Sequence, residues 1–160
     1  MIDFRETEIF IVEGLRSVVS TATKPCEIVR MNQTGPVPPY PYIAYNVDST
    51  SSDGGTYSKA DDGSWYHTIS HLWSFTVQSD DPNEAMTIAL KAWDWFTWAS
   101  YVYFADRGIV IESVGDINNR DNLITIEYEH RRGFDVTVNV INKIVIDDAE
   151  HIATATFVRE

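Results

Sequence analysis

Gly35-Pro-Val-Pro-Pro-Tyr-Pro-Tyr-Ile-Ala-Tyr-Asn-Val47 is the stretch of this sequence that constrains the fold most strongly. Four of the six residues from 36 to 41 are proline, which fixes φ and removes a backbone donor. This part can therefore be neither a helix nor a central strand. Residues 42–47 have the β-branched and aromatic composition of a strand. The stretch predicts a stiff, extended lead-in that delivers one strand at a fixed angle.

The residues on either side of this strand predict a helix, a short strand and a polar connection. Residues 4–22 are predicted to be helical because apolar side chains recur at helical spacing, with Phe10 and Ile11 broadening a stripe formed by Ile9, Val12, Leu15 and Val19. Residues 27–31 are predicted to form a short strand. Residues 48–66 are rich in Ser, Gly and Asp, which indicates a long exposed loop or the tip of a β-hairpin.

A strand and a second helix are predicted next. Residues 68–79 alternate, so one buried face carries Ile69, His71, Trp73, Phe75 and Val77. Asp80-Asp81-Pro82-Asn83-Glu84 is a helix start signal, and the helix is expected to reach about residue 105 and to stop before Gly108. Its second half, residues 93–104, is apolar on nearly every face. Since a helix packed on one sheet needs only one apolar stripe, the surplus predicts a second covering surface.

The last third of the chain predicts strands with one ambiguous connection. Residues 109–114 form a strand, and from 124 to 140 the even-numbered positions are mostly apolar. This parity continues across Arg131-Arg132-Gly133, which fits a three-residue hairpin loop with Gly133 in the left-handed region. One long strand kinked at Gly133 fits equally well, and we prefer the hairpin. Residues 144–146 and 152–158 predict a closing strand or an arm, with 147–150 as the turn between them.

These elements give the order α-β-β-β-α-β-β-β within a single domain covering residues 1–160. Strands grouped between two helices indicate an α+β fold, in which an antiparallel β-sheet carries two α-helices on one face. In this fold residues 48–66 are an extended loop or hairpin, and residues 147–160 are a C-terminal arm or closing strand.

The composition excludes several classes of partner. The net charge of −12, from 24 acidic and 12 basic residues, repels nucleic acid and anionic membranes, although DNA could slide past such a surface without sticking. No apolar run approaches the roughly 20 residues of a membrane span. The N-terminus is acidic where a signal peptide would be basic, so we expect synthesis in a reducing cytoplasm. The single cysteine, Cys26, excludes an internal disulfide and is expected to be a small buried residue.

The sequence predicts no catalytic, cofactor-binding or metal-binding residues. His67 and His71 lie four apart on a predicted strand, which separates them by roughly 13 Å. Residues 53–55 and 61–63 lack the alternating acidic ligands of a calcium loop and are predicted turns. Because a phosphate-binding glycine loop and a nucleophile elbow are also missing from the sequence, we expect no enzyme.

Two features indicate assembly instead. Arg131 and Arg132 are the only adjacent basic residues, and they could be a solvated hairpin tip or could dock on the acidic surface of a neighbouring copy. The aromatic cluster around Trp93 is expected to contribute partly to the core and partly to a subunit interface. The candidate interface residues are Arg131, Arg132, Trp95, Trp98, Tyr101, Tyr57 and Trp65.

Three features in this order resemble the phage neck-terminator family: the proline-rich lead-in to Tyr40–Val47, the Trp/Phe-rich second helix, and Glu129-His-Arg-Arg-Gly-Phe-Asp-Val136. The family is similar in fold to phage tail-terminator proteins. The resemblance implies a structural virion protein of a tailed phage, made in the host cytoplasm and located in the tail or neck. It implies a hexameric ring that terminates the tail tube and joins it to the head-side connector, with DNA passing through the lumen.

The resemblance also implies partners and residue roles. The partners would be further copies of the chain, the tail tube or sheath protein and the connector protein, with no cofactor and no membrane. Residues 40–47 would form a core strand, Arg131-Arg132-Gly133 would match the family's turn region, and residues 48–66 would reach toward a neighbour.

Two other functions are compatible with the sequence. The first is a small α+β module that binds a ligand or peptide through the Trp/Tyr cluster. The second, with the least support, is a hydrolase that uses His71 or His130 with nearby acidic residues. A persistent monomer that binds ligands would favour the binding module over the ring.

Overall fold

A computed structural model describes residues 3–52, 57–124 and 127–145 of the chain. The strands form one sheet in the order β1-β2-β4-β8-β5, with β3 paired to β4 and with β6 and β7 paired to β8. The predicted α+β class is confirmed. The elements in chain order are α1 (Phe4–Val19), β1 (Glu27–Arg30), β2 (Tyr42–Ser52), β3 (Ser58–Lys59), β4 (Trp65–Ser79), α2 (Pro82–Asp94), a π-helical turn (Trp95–Ala99), α3 (Ser100–Phe104), a 3-10 turn (Ala105–Arg107), β5 (Ile109–Val114), β6 (Asn118–Asn119), β7 (Asn122–Ile124) and β8 (Glu127–Ile144).

The sheet is mixed, because β1 and β2 pair in parallel, with Glu27 opposite Tyr42. The other strand pairs are antiparallel. The sequence predicted an antiparallel sheet throughout, so this prediction is wrong for β1 and β2 alone among the described strand pairs. Parallel neighbours need a crossover that returns the chain to the same end of the sheet. Residues 31–41 make this crossover, and residues 36–41 within it form neither helix nor strand, as their prolines predict.

The described parts of the polar segment 48–66 pair with β4. The second half of β2 continues past a bulge after Val47 and pairs with residues 69–72 of β4. β3 then pairs with the start of β4, with Lys59 opposite Trp65. We call the described parts of residues 48–72, together with residues 140–144 of β8, the hairpin arm, because β8 pairs with β4 along this part.

The core lies on one face of the central strands β4 and β8. Trp73, Phe75 and Val77 are fully buried, as the alternation of this strand predicts. Phe134 pairs with Phe75, and their ring centroids lie 5.9 Å apart. The same face of the sheet is covered by the second helical segment, which comprises α2, the π-helical turn, α3 and the 3-10 turn (residues 82–107). The strand and helix periodicities of the sequence therefore both point to one core.

Helix α1 begins and ends with local signals but turns a different face inward than predicted. The Asp3 carboxylate accepts a hydrogen bond from the Arg5 amide at the N-cap, and the helix ends at Val19 rather than at residue 22. Its buried stripe runs through Ile11, Leu15 and Val19. Ile9 is 44% exposed, so its predicted place in the apolar stripe is wrong. The period alone did not determine which of several apolar rows faces the sheet.

The second helical segment begins and ends where the sequence predicts. Asp81 is the N-cap, its carboxylate accepting from the Asn83 amide at 2.8 Å, and Pro82 occupies the first turn. Gly108 ends the segment with φ of +65°, a left-handed conformation that favours glycine. The segment is interrupted by the π-helical turn at Trp95–Ala99, which the sequence pattern did not predict.

The predicted hairpin at Arg131-Arg132-Gly133 is wrong, because β8 is one continuous strand through these residues. Gly133 pairs with Thr76 in the middle of the sheet. A Cβ atom at Gly133 would lie 2.7 Å from the Cδ, Nε and Nη1 atoms of Arg120, whose side chain crosses over it. The glycine therefore permits a close side-chain approach rather than a turn. The predicted turn 147–150 and strand 152–158 lie outside the described residues.

Candidate assembly surfaces

The second helical segment carries an apolar patch on its outer face. Trp98 is 77% exposed, Tyr101 80% and Val102 78%, and we call these three residues the helix patch. They lie three and four residues apart, so they share one side of the helix. Exposed side chains of this size are a common mark of a protein–protein contact.

The opposite side of the same segment is part of the core. Trp95, Phe96 and Phe104 are buried, and the rings of Trp95 and Phe104 meet edge to face with centroids 5.5 Å apart. A Cβ atom at Gly14 of α1 would lie 2.7 Å from the Trp95 ring, so this glycine makes room for the indole. Of the candidate interface residues, Trp95 is thus a core residue of the subunit, whereas Trp98 and Tyr101 face outward.

The π-helical turn explains how neighbouring aromatic residues take opposite sides. In an α-helix, a residue three positions after Trp95 would lie on the same face. The wider turn, with more residues per revolution, rotates Trp98 away from that face. The Ser100 hydroxyl donates to the Phe96 carbonyl at 3.0 Å, and the Thr97 hydroxyl donates to the Trp93 carbonyl at 2.8 Å. These bonds add side-chain support within the widened segment.

A cleft of about 530 Å³ lies between this helical segment and strand β5. Its lining is mostly apolar and includes Phe96 and Phe104 on the helix side and Ile109, Ile111 and Val110 on the strand side. The Trp93 indole N–H donates to the Gly115 carbonyl at 2.9 Å just beyond β5, which ties the helix to the sheet there. We call this space the β5 cleft.

Arg131 and Arg132 lie within β8 and bind carboxylates of their own chain. The Arg131 Nε atom donates to Glu129 at 2.7 Å, and the Arg132 Nη1 atom donates to Asp121 at 2.5 Å. Asp121 also accepts from the Arg131 amide at 2.7 Å. Since the guanidinium groups already have acidic partners, a neighbouring copy would have to compete for them.

Buried Glu129 also anchors the proline-rich stretch to β8. The Tyr40 hydroxyl donates to the second oxygen of Glu129 at 2.9 Å, and the Tyr40 and Tyr42 rings stack with centroids 5.8 Å apart. Burial, followed by this hydrogen bond, raises the pKa of Tyr40 to about 12. The stretch is therefore held in place by specific side-chain contacts as well as by its prolines.

The two remaining candidates, Tyr57 and Trp65, lie at the far end of the hairpin arm. Tyr57 is exposed, with its ring 5.0 Å from that of His67. Trp65 is half-buried, and the Lys59 ammonium lies 5.6 Å from its ring centroid. These residues belong to a different element from the helix patch, so the candidates divide into separate surfaces.

Arg120 is the structurally important residue that the sequence analysis missed. Its guanidinium group donates to Ser74 at 2.8 Å, to Thr76 at 3.1 Å and to Asp135 at 2.9 Å. It thus joins the loop before β7 to both central strands. The signal available in the sequence was Gly133, which interrupts a strand of alternating apolar residues. A glycine in such a position often marks the close approach of another group.

Several polar side chains in the described part of the chain make structural contacts. His71 is buried with a ring nitrogen 2.9 Å from the Thr50 hydroxyl, and burial lowers the pKa of His71. Within residues 3–52, 57–124 and 127–145, His, Cys, Asp and Glu side chains form no group of three that could hold a metal ion. None of the helices in these ranges is long and apolar enough to span a membrane.

Comparison with known proteins identifies the family of the chain. Residues 11–160 match the family described as phage neck terminator protein, so the match covers nearly the whole chain. A comparison with curated proteins found no match. The α+β fold, the outward aromatic patch and the structural use of its polar residues suit a protein of the virion neck or tail. The chain belongs to the phage neck terminator family, which has a structural role.

Proposed function

We propose that the chain forms a hexameric ring at the neck of a tailed phage, where it terminates the tail tube and joins it to the head-side connector. The helix patch carries this proposal, because Trp98, Tyr101 and Val102 are each at least 77% exposed. Fully burying a large apolar side chain contributes about 1.5–3 kcal/mol. Covering this patch with a second copy would therefore add several kcal/mol before the costs of association are subtracted.

A closed ring needs two different surfaces on each subunit, since each copy contacts one neighbour on either side. We assign the helix patch to one surface and the hairpin arm, with Tyr57 and Trp65, to the other. Arg131 and Arg132 take a smaller part, because Glu129 and Asp121 already pair with them. Trp95 supports the patch from within the core.

The charge of the chain suits a ring through which DNA passes. At −12 per chain, a ring repels phosphate groups and gives DNA no adhesive surface in the lumen. The other partners in this proposal are the tail tube or sheath protein on one side and the connector protein on the other.

The test compares two valines that are almost equally exposed. Val102 lies in the helix patch, and Val37, which is 74% exposed, lies in the proline-rich stretch. Val102→Ser should reduce the fraction of rings in sedimentation and electron microscopy, and Trp98→Ser should reduce it further. Val37→Ser should assemble like the unaltered chain.

In a phage that lacks the chain, the same variants should rank identically by the number of joined head–tail particles. Equal assembly by Val102→Ser and Val37→Ser would remove the helix patch from the interface.

The β5 cleft supports one alternative function. Its volume of about 530 Å³ lies within the range of about 300–1,000 Å³ that is typical of ligand sites. A chain that stays monomeric, binds a small ligand or peptide saturably, and is dispensable for joined particles would be such a binding module.

A further inference from the structure

In the part of the chain that the structure describes, strand β5 ends the sheet with one side open. Among the described residues, β5 pairs with β8 and with no other strand. The backbone N–H and C=O groups along an open edge can accept another strand, and proteins usually cover or protect such edges. Val110 in the middle of β5 is exposed, so no side chain of the described part of this subunit shields it.

The β5 cleft has the shape and chemistry to receive a strand. All six residues of β5 line it, including Ile109 and Ile111 facing the core and Val110 facing away. Because residues from both faces of β5 line the cleft, the cleft lies around the edge of this strand. Six residues of strand extend for about 20 Å, which one added strand of similar length would match.

The chain contains a segment suited to this position. Residues 152–158, Ile-Ala-Thr-Ala-Thr-Phe-Val, have β-branched residues at every second position and contain no proline, glycine or charge. This composition has high β-propensity, and its apolar side chains suit an apolar cleft.

The end of β8 indicates whose cleft the segment would enter. Ile109, the first residue of β5, is opposite Val140, but β8 continues along the hairpin arm to Ile144, which is opposite Trp65. At Val145 the chain is thus already past β5 and directed away from it. To enter its own cleft the chain would have to reverse and run parallel to β5. A neighbouring copy permits antiparallel pairing, which is slightly more stable.

We propose that residues 152–158 of one copy add a strand to β5 of the neighbouring copy, in the cleft beside the helix patch. This inference rests on the proposed ring, in which every copy would give one segment and receive one. Such an exchange is a head-to-tail contact and can close into a ring. It would also cover the apolar cleft and the open edge with the same segment.

Paired cysteines in the full chain test the exchange. Ser113→Cys or Val110→Cys on β5 is combined with Thr154→Cys or Thr156→Cys, and the protein is oxidised mildly. Cys26 is buried and does not compete. Because a disulfide forms only when Cβ atoms approach to about 3.5–4.5 Å, at least one pair should give a ladder of covalent multimers on a denaturing gel. As a control, Thr154→Cys or Thr156→Cys is paired with Glu13→Cys, on the exposed side of α1. We expect the β5 pairs to give a disulfide yield at least about tenfold above that of this control.

The remaining outcomes separate the exchange from the ring. Disulfides confined to single chains would overturn the inference, because the segment would then occupy its own cleft. Rings of normal mass in which none of the four pairs forms a disulfide between β5 and residues 152–158 would overturn the exchange and leave the proposed ring intact. A chain that neither assembles nor crosslinks would count against both.

Discussion

A methyl group added at Gly133 tests whether the close approach of Arg120 explains the continuous strand β8. In Gly133→Ala, the new Cβ would lie 2.7 Å from three atoms of the Arg120 side chain, which must then move. Arg120 would lose its hydrogen bonds to Ser74 and Thr76 and its ion pair with Asp135. Gly133 does not have a positive φ, so alanine is compatible with the backbone itself.

The size of the effect follows from these contacts. Hydrogen bonds to a charged group contribute about 1.5–3 kcal/mol each when buried, and partly exposed ion pairs about 0–1 kcal/mol. Because Arg120 is partly exposed, we expect a loss of about 2–3 kcal/mol for the whole set. Replacing glycine by alanine in a strand returns about 0.5–1 kcal/mol. The net destabilisation of Gly133→Ala should be about 1–2.5 kcal/mol.

Urea unfolding followed by tryptophan fluorescence, at concentrations where the chain is unassembled, measures this in a double-mutant cycle. In an Arg120→Ala background the obstruction is gone, so Gly133→Ala should stabilise by about 0.5–1 kcal/mol. Gly35→Ala is a control, since a Cβ there would meet nothing within 4 Å. If Gly133→Ala destabilises equally with and without the Arg120 side chain, the proposed role of the glycine is refuted.

Two further predictions concern the core. Gly14→Ala should destabilise the chain, because its Cβ would lie 2.7–2.8 Å from ring atoms of Trp95 and Tyr103, and overpacking of about 1–3 kcal/mol exceeds the helix-propensity gain of about 1 kcal/mol. Thermal unfolding should show a smaller penalty in a Trp95→Phe background, and an equal penalty would contradict the packing explanation. The pKa of His71 is lowered by burial, so its contribution to stability is complete above about pH 6.5 and is lost as the pH falls through the lowered pKa. The urea midpoint should therefore fall more between pH 7 and pH 5 in the unaltered chain than in His71→Gln, and parallel pH profiles would exclude this role of His71.

The features that the sequence predicted correctly depend on local interactions. Asp81 and Pro82 set the start of α2 because capping and a fixed φ act within one turn. The alternation from Ile69 to Val77 predicted a strand whose packed face contains Trp73 and Phe75, as observed. The expectation that its other face is open is wrong at the C-terminal end, where Thr76 and Gln78 are also buried. The four prolines within residues 36–41 excluded helix and central strand, because each proline fixes its own φ and has no backbone N–H.

The features that the sequence predicted wrongly depend on contacts between distant residues. The pattern around Gly133 allowed a hairpin or a long strand, and the choice depends on Arg120, which lies thirteen positions earlier and crosses over the glycine. Ile9 belongs to the same apolar pattern as Val12 but is exposed, since the sheet receives the neighbouring row through Ile11. In the candidate interface, Trp95 and Trp98 could not be separated without the π-helical turn that rotates them apart.

The sequence by itself determined the α+β class, the start of both helices and the buried face of β4, because these depend on periodicity, capping and proline, which act over a few residues. The resemblance to phage neck terminators rested on three sequence features and their order. Tertiary structure decided which aromatic side chains are outside, which carboxylates bind Arg131 and Arg132, and which strand ends the sheet. Those outcomes depend on which distant segments meet, and on the space that Gly14 and Gly133 leave for Trp95 and Arg120. The composition of the second helix predicted that a second surface covers it, but only the packing showed which face of the helix the subunit leaves exposed, namely the one carrying Trp98, Tyr101 and Val102.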